Sequence, residues 1–249
     1  MNYLGEGNLI ATIEGTKKKL YISDDDGEDS NKKDIKLTGT QKFQVTFDPE
    51  MNRQIFAVFG VSNSGKSYFA RSLLRQYHEL HKKNTIYLFS PVCDDPSLES
   101  VKNLAKIDIS NPDFLSKSIE LDDLKDSCCI FDDCETIGNK FIAHKIQNLA
   151  ELLLERGRHH NISVIFLNHT PCNGKQTKKI LQESHAITIF LRTLGGKPLK
   201  YLLENYLGLD KIQIKLVKSL KKEGRALTFI KSYPMVAISE KRAVVLESD

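Results

Sequence analysis

The chain has 249 residues, 40% hydrophobic and 27% charged, enough for one large α/β domain with an extension. Its net charge of +4 permits an acidic polymer as partner without demanding one, and no apolar run is long enough to span a bilayer. The five cysteines (Cys93, Cys128, Cys129, Cys134 and Cys172) form no Cys-x-x-Cys pair, and no histidine stands at zinc-finger spacing from them. With no N-terminal signal peptide either, a soluble, intracellular protein in a reducing compartment is expected.

Residues 1–50 differ from the rest and are expected to form a small β-rich N-terminal extension. Residues 9–14, 19–23 and 42–47 have the composition of short strands. Between them, residues 24–34 (DDDGEDSNKKD) form a charge-dense loop that cannot bury a core. A calcium loop is rejected there, because Asp29 stands where glycine is needed and no glutamate closes it.

Residues 51–249 read as one further domain, organised around QIFAVFGVSNSGKSYFARSLL. Ile55–Phe59 is an apolar run suited to a buried strand. Gly60-Val61-Ser62-Asn63-Ser64-Gly65-Lys66-Ser67 then matches the phosphate-binding pattern G-x-x-x-x-G-K-[ST]. Small residues let backbone N–H groups turn inward around a triphosphate, and the next helix points its free N–H groups at the anion. Gly60, Ser62, Asn63, Ser64, Gly65, Lys66, Ser67 and Tyr68 are therefore the candidate ATP contacts. Lys66 is suited to the β- and γ-phosphates, and Ser67 to Mg²⁺. Phe69, Leu73, Tyr77 and Leu80 mark the apolar face of the following helix.

A second buried strand is expected at 85–90, a turn at 91–96, a short strand at 104–109 and a helix from Asn111-Pro112. SCCIFDD, residues 127–133, is an apolar strand ending in two carboxylates. Asp132 is the candidate metal-linked acid. Asp133 is the first choice, and Glu135 the second, for the acid that orients water or takes its proton. The intervening strand at 85–90 suggests the class of phosphate-loop proteins that inserts a strand between the two motif strands. Ile142, Ile146, Leu149 and Leu153 form the buried stripe of a long helix, stopped at Gly157. Residues 162–167 form another buried strand, whose end places Asn168 as a candidate γ-phosphate sensor. A helix lies in 174–184 and a buried strand at 186–191. Two helices follow, one with Leu199, Leu202, Leu203 and Tyr206, the next with Ile212, Leu216 and Leu220 on its buried face. A hairpin around Tyr233-Pro234 and a strand at 243–246 end the chain. The expected fold class is thus α/β: a P-loop NTPase sheet, mainly parallel and flanked by helices, with the β-rich extension and a C-terminal β-hairpin.

The FDD strand, the long helix, RGRHHNISVIFLNHT and the tail GRALTFIKSYP together resemble the genome-packaging ATPases of large eukaryotic DNA viruses and virophages, within the FtsK–HerA superfamily. The resemblance implies ATP hydrolysis with Mg²⁺, double-stranded DNA as partner and a homo-oligomeric ring with ATP at subunit boundaries. It further implies a docking protein on a capsid or membrane, without membrane insertion, and residence at viral assembly sites in the host cytoplasm and in the virion. Lys66 and Ser67 match the nucleotide and magnesium positions, Asp132 the metal-linked acid, Asp133 the water-activating acid and Asn168 the sensor. Arg158 and Arg225 stand where an arginine could reach a neighbouring subunit's nucleotide; Arg156 and Arg192 remain open. Two basic clusters are candidates for phosphate contacts with DNA: Lys175, Lys178 and Lys179; and Lys215, Lys218, Lys221, Lys222 and Arg225. A nucleoside or small-molecule kinase would share the loop but needs an arginine-rich lid, which is not visible. A non-hydrolysing ATP-binding assembly protein would not need the second acid.

Overall fold

The structure is a computed structural model and describes residues 1–23, 32–92 and 95–246. Most of the acidic loop, along with Cys93, lies outside the described residues. In chain order the elements are β1 (Asn8–Ile13), β2 (Lys19–Ile22), β3 (Asp34–Lys36), β4 (Phe43–Val45), β5 (Ile55–Phe59) and α1 (Lys66–Leu80). Then come β6 (Ile86–Ser90), β7 (Leu104–Asp108), β8 (Cys128–Asp132), α2 (Lys140–Arg156), β9 (Ser163–Asn168) and α3 (Lys175–Glu183). The last are β10 (Ala186–Ile189), α4 (Gly196–Tyr201), α5 (Lys211–Ser219), β11 (Leu227–Ile230), β12 (Met235–Ser239) and β13 (Arg242–Leu246). Where a helix was expected from Asn111-Pro112, only a 3₁₀ turn forms over Pro112–Leu115, capped by the Asn111 side chain.

These elements group into two compact units, Asn52–Ser184 and Met1–Met51 with His185–Asp249. The sequence reading separates 1–50 from 51–249; in the structure the C-terminal strands join the N-terminal segment instead.

In the unit Asn52–Ser184 the sheet is parallel, in the order β5-β9-β8-β6-β7. Every residue of β5 and of β8 is buried, so both faces of these strands are covered. A strand does lie between the two motif strands β5 and β8, but it is β9 and not the strand at 85–90. β6 pairs on the far side of β8. Chain order hides this because β9 is laid down last and enters the gap between strands already named. Phe89, Phe131 and Phe166 sit side by side in register on β6, β8 and β9, their rings stacked with centroids 5.0 and 5.2 Å apart. The ladder ties the three strand ends together just before the polar residues of the site.

On α1 the buried residues are Lys66, Ala70, Leu73, Leu74 and Tyr77, so the apolar face is rotated from the expected one and Leu80 is exposed. On α2 Ile142, Ile146, Leu149 and Leu153 are all buried, as the spacing predicts. The Arg53 guanidinium donates to the carbonyls of Leu153, Leu154 and Ile162. It thereby ties the last turn of α2 to the entry of β9, adding to the Gly157 N–H that Leu153 already accepts.

In the other unit β3-β13-β12-β11-β10 is antiparallel throughout, and β2-β1-β4 forms a small separate sheet. The expected hairpin is β11 with β12. The N-terminal segment is stitched to the C-terminal strands: Arg242 pairs with Asp34, Lys36 with Glu223 at 3.0 Å, and Phe43 N–H donates to the Glu240 carbonyl at 2.8 Å. On α5 Gln213, Ile214 and Val217 are buried and Ile212 is 72% exposed, against the expected stripe. Asp210 and Gln213 form a reciprocal cap at its start, so Gln213 turns inward. No helix among the described residues is long and apolar enough to cross a membrane.

Candidate functional site

The carboxyl ends of β5, β9 and β8 lie side by side, with Phe59 opposite Asn168 and Asp132 opposite Leu167. In an open parallel sheet this edge is where ligands gather. Residues 60–65 turn from β5 into α1. Asn63 takes φ 62° and Gly65 φ 107°, the left-handed values that let consecutive N–H groups face one side. No side chain caps α1 at Gly65 and no acid lies in its first turn, so nothing there competes with an incoming anion. Ser64 Oγ is buried without a hydrogen-bond partner. Lys66 is 7% exposed, and its Nζ curls back to donate to the Gly60 carbonyl at 2.8 Å. A buried ammonium whose hydrogen bond goes to a neutral carbonyl, beside an unsatisfied hydroxyl and an uncapped helix, fits a phosphate group.

Asp132 ends β8 and is 7% exposed. Burial, and then the adjacent Asp133 charge, push its carboxyl up to about 7, while Lys66 pulls it down and Asp95 pushes it further up. Such a carboxyl fits a cation beside it when ionised. Ser67 and Asp132 thus suit Mg²⁺, which is commonly held by one or two carboxylates and by phosphate oxygens.

Asp133 follows in the left-handed region at φ 50°, so the two acids diverge from the strand end. Its Oδ1 is buried 2.9 Å from His169 Nε2 and 3.9 Å from Lys66 Nζ, without a well-aligned hydrogen bond from either. His169 N–H in turn donates to the Glu135 carboxylate. Asn168 is half-buried at the end of β9, where its carbonyl accepts the Gly60 N–H at 3.0 Å.

The structure therefore brings together Gly60, Ser64, Gly65, Lys66, Ser67, Asp132, Asp133 and Asn168. Ser62 is exposed on the loop. Tyr68 is 67% exposed on α1, with the Arg71 guanidinium 4.4 Å from its ring centroid. Arg158 is exposed in the turn before β9, at the opposite end of that strand from Asn168 and about 17 Å of strand away. Arg225 is exposed in the other unit, its N–H donating to Glu240 at 2.8 Å. Lys179 is paired with Glu155, Lys178 is exposed, and Lys215, Lys218, Lys221 and Lys222 are all exposed.

Two residues of this edge were not singled out in the sequence. Asp95, on the loop after β6, accepts hydrogen bonds from the Ser67 hydroxyl and from Ser97. These bonds hold its carboxyl below the usual range although burial raises it. His169 is the second. Both stand just past the carboxyl end of a strand in this sheet, and that position was the available signal.

A parallel sheet with a phosphate loop after one strand, paired acids after another and a third strand between them is the fold of a phosphate-loop NTPase. The chain belongs to the same family as the uncharacterized protein V3 of Sputnik virophage, to which it is 33% identical over 252 residues, covering 99% of this chain and 98% of V3. In fold it is similar to the genome packaging NTPase B204 of Sulfolobus turreted icosahedral virus 2, solved in complex with sulfate, with a TM-score of 0.51 and 15% identity over 76% of this chain and 97% of that one. It also aligns with the pCW3 conjugation coupling protein TcpA, with a TM-score of 0.45 and 14% identity over 96% of this chain and 78% of TcpA. No family model matches the chain. The resemblance read from the sequence is thus met by a virophage relative in sequence and a viral packaging NTPase in fold.

Proposed function

We propose that this chain is an ATP-hydrolysing motor that moves double-stranded DNA into a viral capsid, working as a homo-oligomeric ring with ATP at subunit boundaries. The observation that carries the reading is the convergence of Lys66, Ser67, Asp132 and Asp133 on one sheet edge, with Asn168 between the two motif strands. Family membership with a virophage protein and a fold shared with a genome packaging NTPase support the viral DNA part.

In this reading the loop from Gly60 to Ser67 binds the phosphates, with Tyr68 at its edge, and Ser67 and Asp132 hold Mg²⁺. The ion, when bound, supplies positive charge to the β- and γ-phosphate oxygens. Lys66 leaves the Gly60 carbonyl for the phosphates. Asp133 orients a water and takes its proton as the water oxygen bonds to the γ-phosphorus and the bond to the bridging oxygen breaks, releasing ADP and phosphate. Asn168 reads the γ-phosphate. Arg158 or Arg225, both exposed, serves the neighbouring subunit's site. The exposed lysines 178, 215, 218, 221 and 222 contact DNA phosphates without reading sequence. A capsid or membrane-associated protein docks the ring at the assembly site.

Nucleotide binding and phosphate release test this reading, measured with and without long double-stranded DNA for the wild type and Lys66→Ala. Mg²⁺-dependent hydrolysis that DNA stimulates, and that the variant loses while still folded, is expected. Equal hydrolysis by the variant would overturn the site.

A further inference from the structure

We propose that His169 is the positioning residue for the Asp133 carboxylate, holding it in place once Lys66 has turned away to the nucleotide. The proposal rests on the hydrolytic reading of the site. Asp133 Oδ1 has two cationic or donor neighbours among the ion pairs of the described residues: Lys66 Nζ at 3.9 Å and His169 Nε2 at 2.9 Å. Lys66 is also bound to the Gly60 carbonyl, a neutral partner. A triphosphate is a far stronger claim on that ammonium, so nucleotide binding removes Lys66 from Asp133. His169 is then what remains.

Its placement suits that task. His169 directly follows β9, and its backbone N–H is held by Glu135, which lies in the same short turn as Asp133. The tie is reciprocal. The turn after β8 fixes the backbone of His169, and the ring of His169 lies against the acid that starts the turn. Asp133 also sits in the left-handed region, from which an aspartate relaxes if its side chain loses its partner. Nε2 stands 2.9 Å from Oδ1 without an aligned hydrogen bond; with Nε2 carrying the proton, a small turn of the ring lets it donate to Oδ1 and leaves Oδ2 to face water. An aspartate is short, and a shift of about 1 Å at a reacting group costs on the order of 10²-fold in rate.

The test compares the wild type with His169→Ala, His169→Gln, Asp133→Asn, Asp133→Ala and the double variant of His169→Ala with Asp133→Ala. Glutamine places an amide N–H close to the position of Nε2. Three quantities are read: the affinity for a fluorescent ATP analogue, kcat and KM, and the coupling between His169→Ala and Asp133→Ala in the unfolding of the ligand-free protein. Expected are a kcat about 10²-fold lower in His169→Ala with nucleotide affinity unchanged, substantial recovery in His169→Gln, and a non-zero unfolding coupling. The proposal is overturned if His169→Ala keeps its kcat while Asp133→Asn is inactive, if affinity falls in step with kcat, if glutamine restores nothing, or if the coupling is zero. The hydrolytic reading itself fails, and the proposal with it, if Asp133→Asn hydrolyses ATP as fast as the wild type.

Discussion

Three aspartates meet near the phosphate loop, and each is held by different physics. Asp95 accepts from hydroxyls and a backbone N–H, Asp133 lies 2.9 Å from the His169 ring, and Asp132 is buried beside the Asp133 charge, which is why its carboxyl rises to about 7. That last shift makes a stability prediction. A carboxyl whose folded pKa lies above its unfolded value binds more protons when folded. Stability therefore falls as pH rises from about 4 to about 7 and is flat above. In the ligand-free protein with chelator, Asp132→Asn should be more stable than the wild type at pH 8, on the order of 2–4 kcal/mol, and the difference should vanish near pH 4. Urea unfolding at the two pH values measures it. A variant less stable at pH 8 would mean that the attraction of Lys66 outweighs the burial of Asp132 in the ligand-free fold. Of these three residues, the sequence reading reached Asp132 and Asp133 because they close an apolar strand. Asp95 was not reached, since its bond from Ser67 joins residues far apart in the chain, and His169 was not, since it meets Asp133 only when β9 pairs with β8.

At the scale of elements, the site depends on strand ends staying level. The stacked rings of Phe89, Phe131 and Phe166 cross three neighbouring strands immediately before Ser90, before Asp132, and before Leu167 and Asn168 at the end of β9. Phe131 is central and 2% exposed. Phe131→Ala should cost about 3–5 kcal/mol in urea unfolding, with the denaturant slope unchanged. A cost near that of a surface substitution would show that the ladder is incidental. The strands themselves were legible because β5 and β8 are unbroken apolar runs, and α2 because its stripe recurs at helix spacing. β3 was not legible: its three residues alternate charged and apolar, and only pairing with β13 makes them a strand. The face of α5 was misread because a capping box, and not hydrophobicity, turns Gln213 inward and leaves Ile212 in water.

At the scale of the whole molecule, the phosphate-loop sheet and the paired acids all fall within Asn52–Ser184. The N-terminal segment and the C-terminal strands form the second unit, joined by pairs such as Arg242 with Asp34, which lie some two hundred positions apart. No local pattern in sequence announces such a union, so the division at residue 50 was the natural reading and the grouping of 185–249 was invisible. The exposed arginines 158 and 225 sit in different units, and a ring in which one of them completes a neighbour's site makes activity depend on assembly. The measurement that tests this most directly is the ATP hydrolysis rate per subunit across protein concentration, with and without long double-stranded DNA, beside Asp133→Asn. The account predicts a rate per subunit that rises with both concentration and DNA and is lost in the variant. A rate indifferent to concentration and to DNA would contradict the motor and leave a monomeric phosphotransferase.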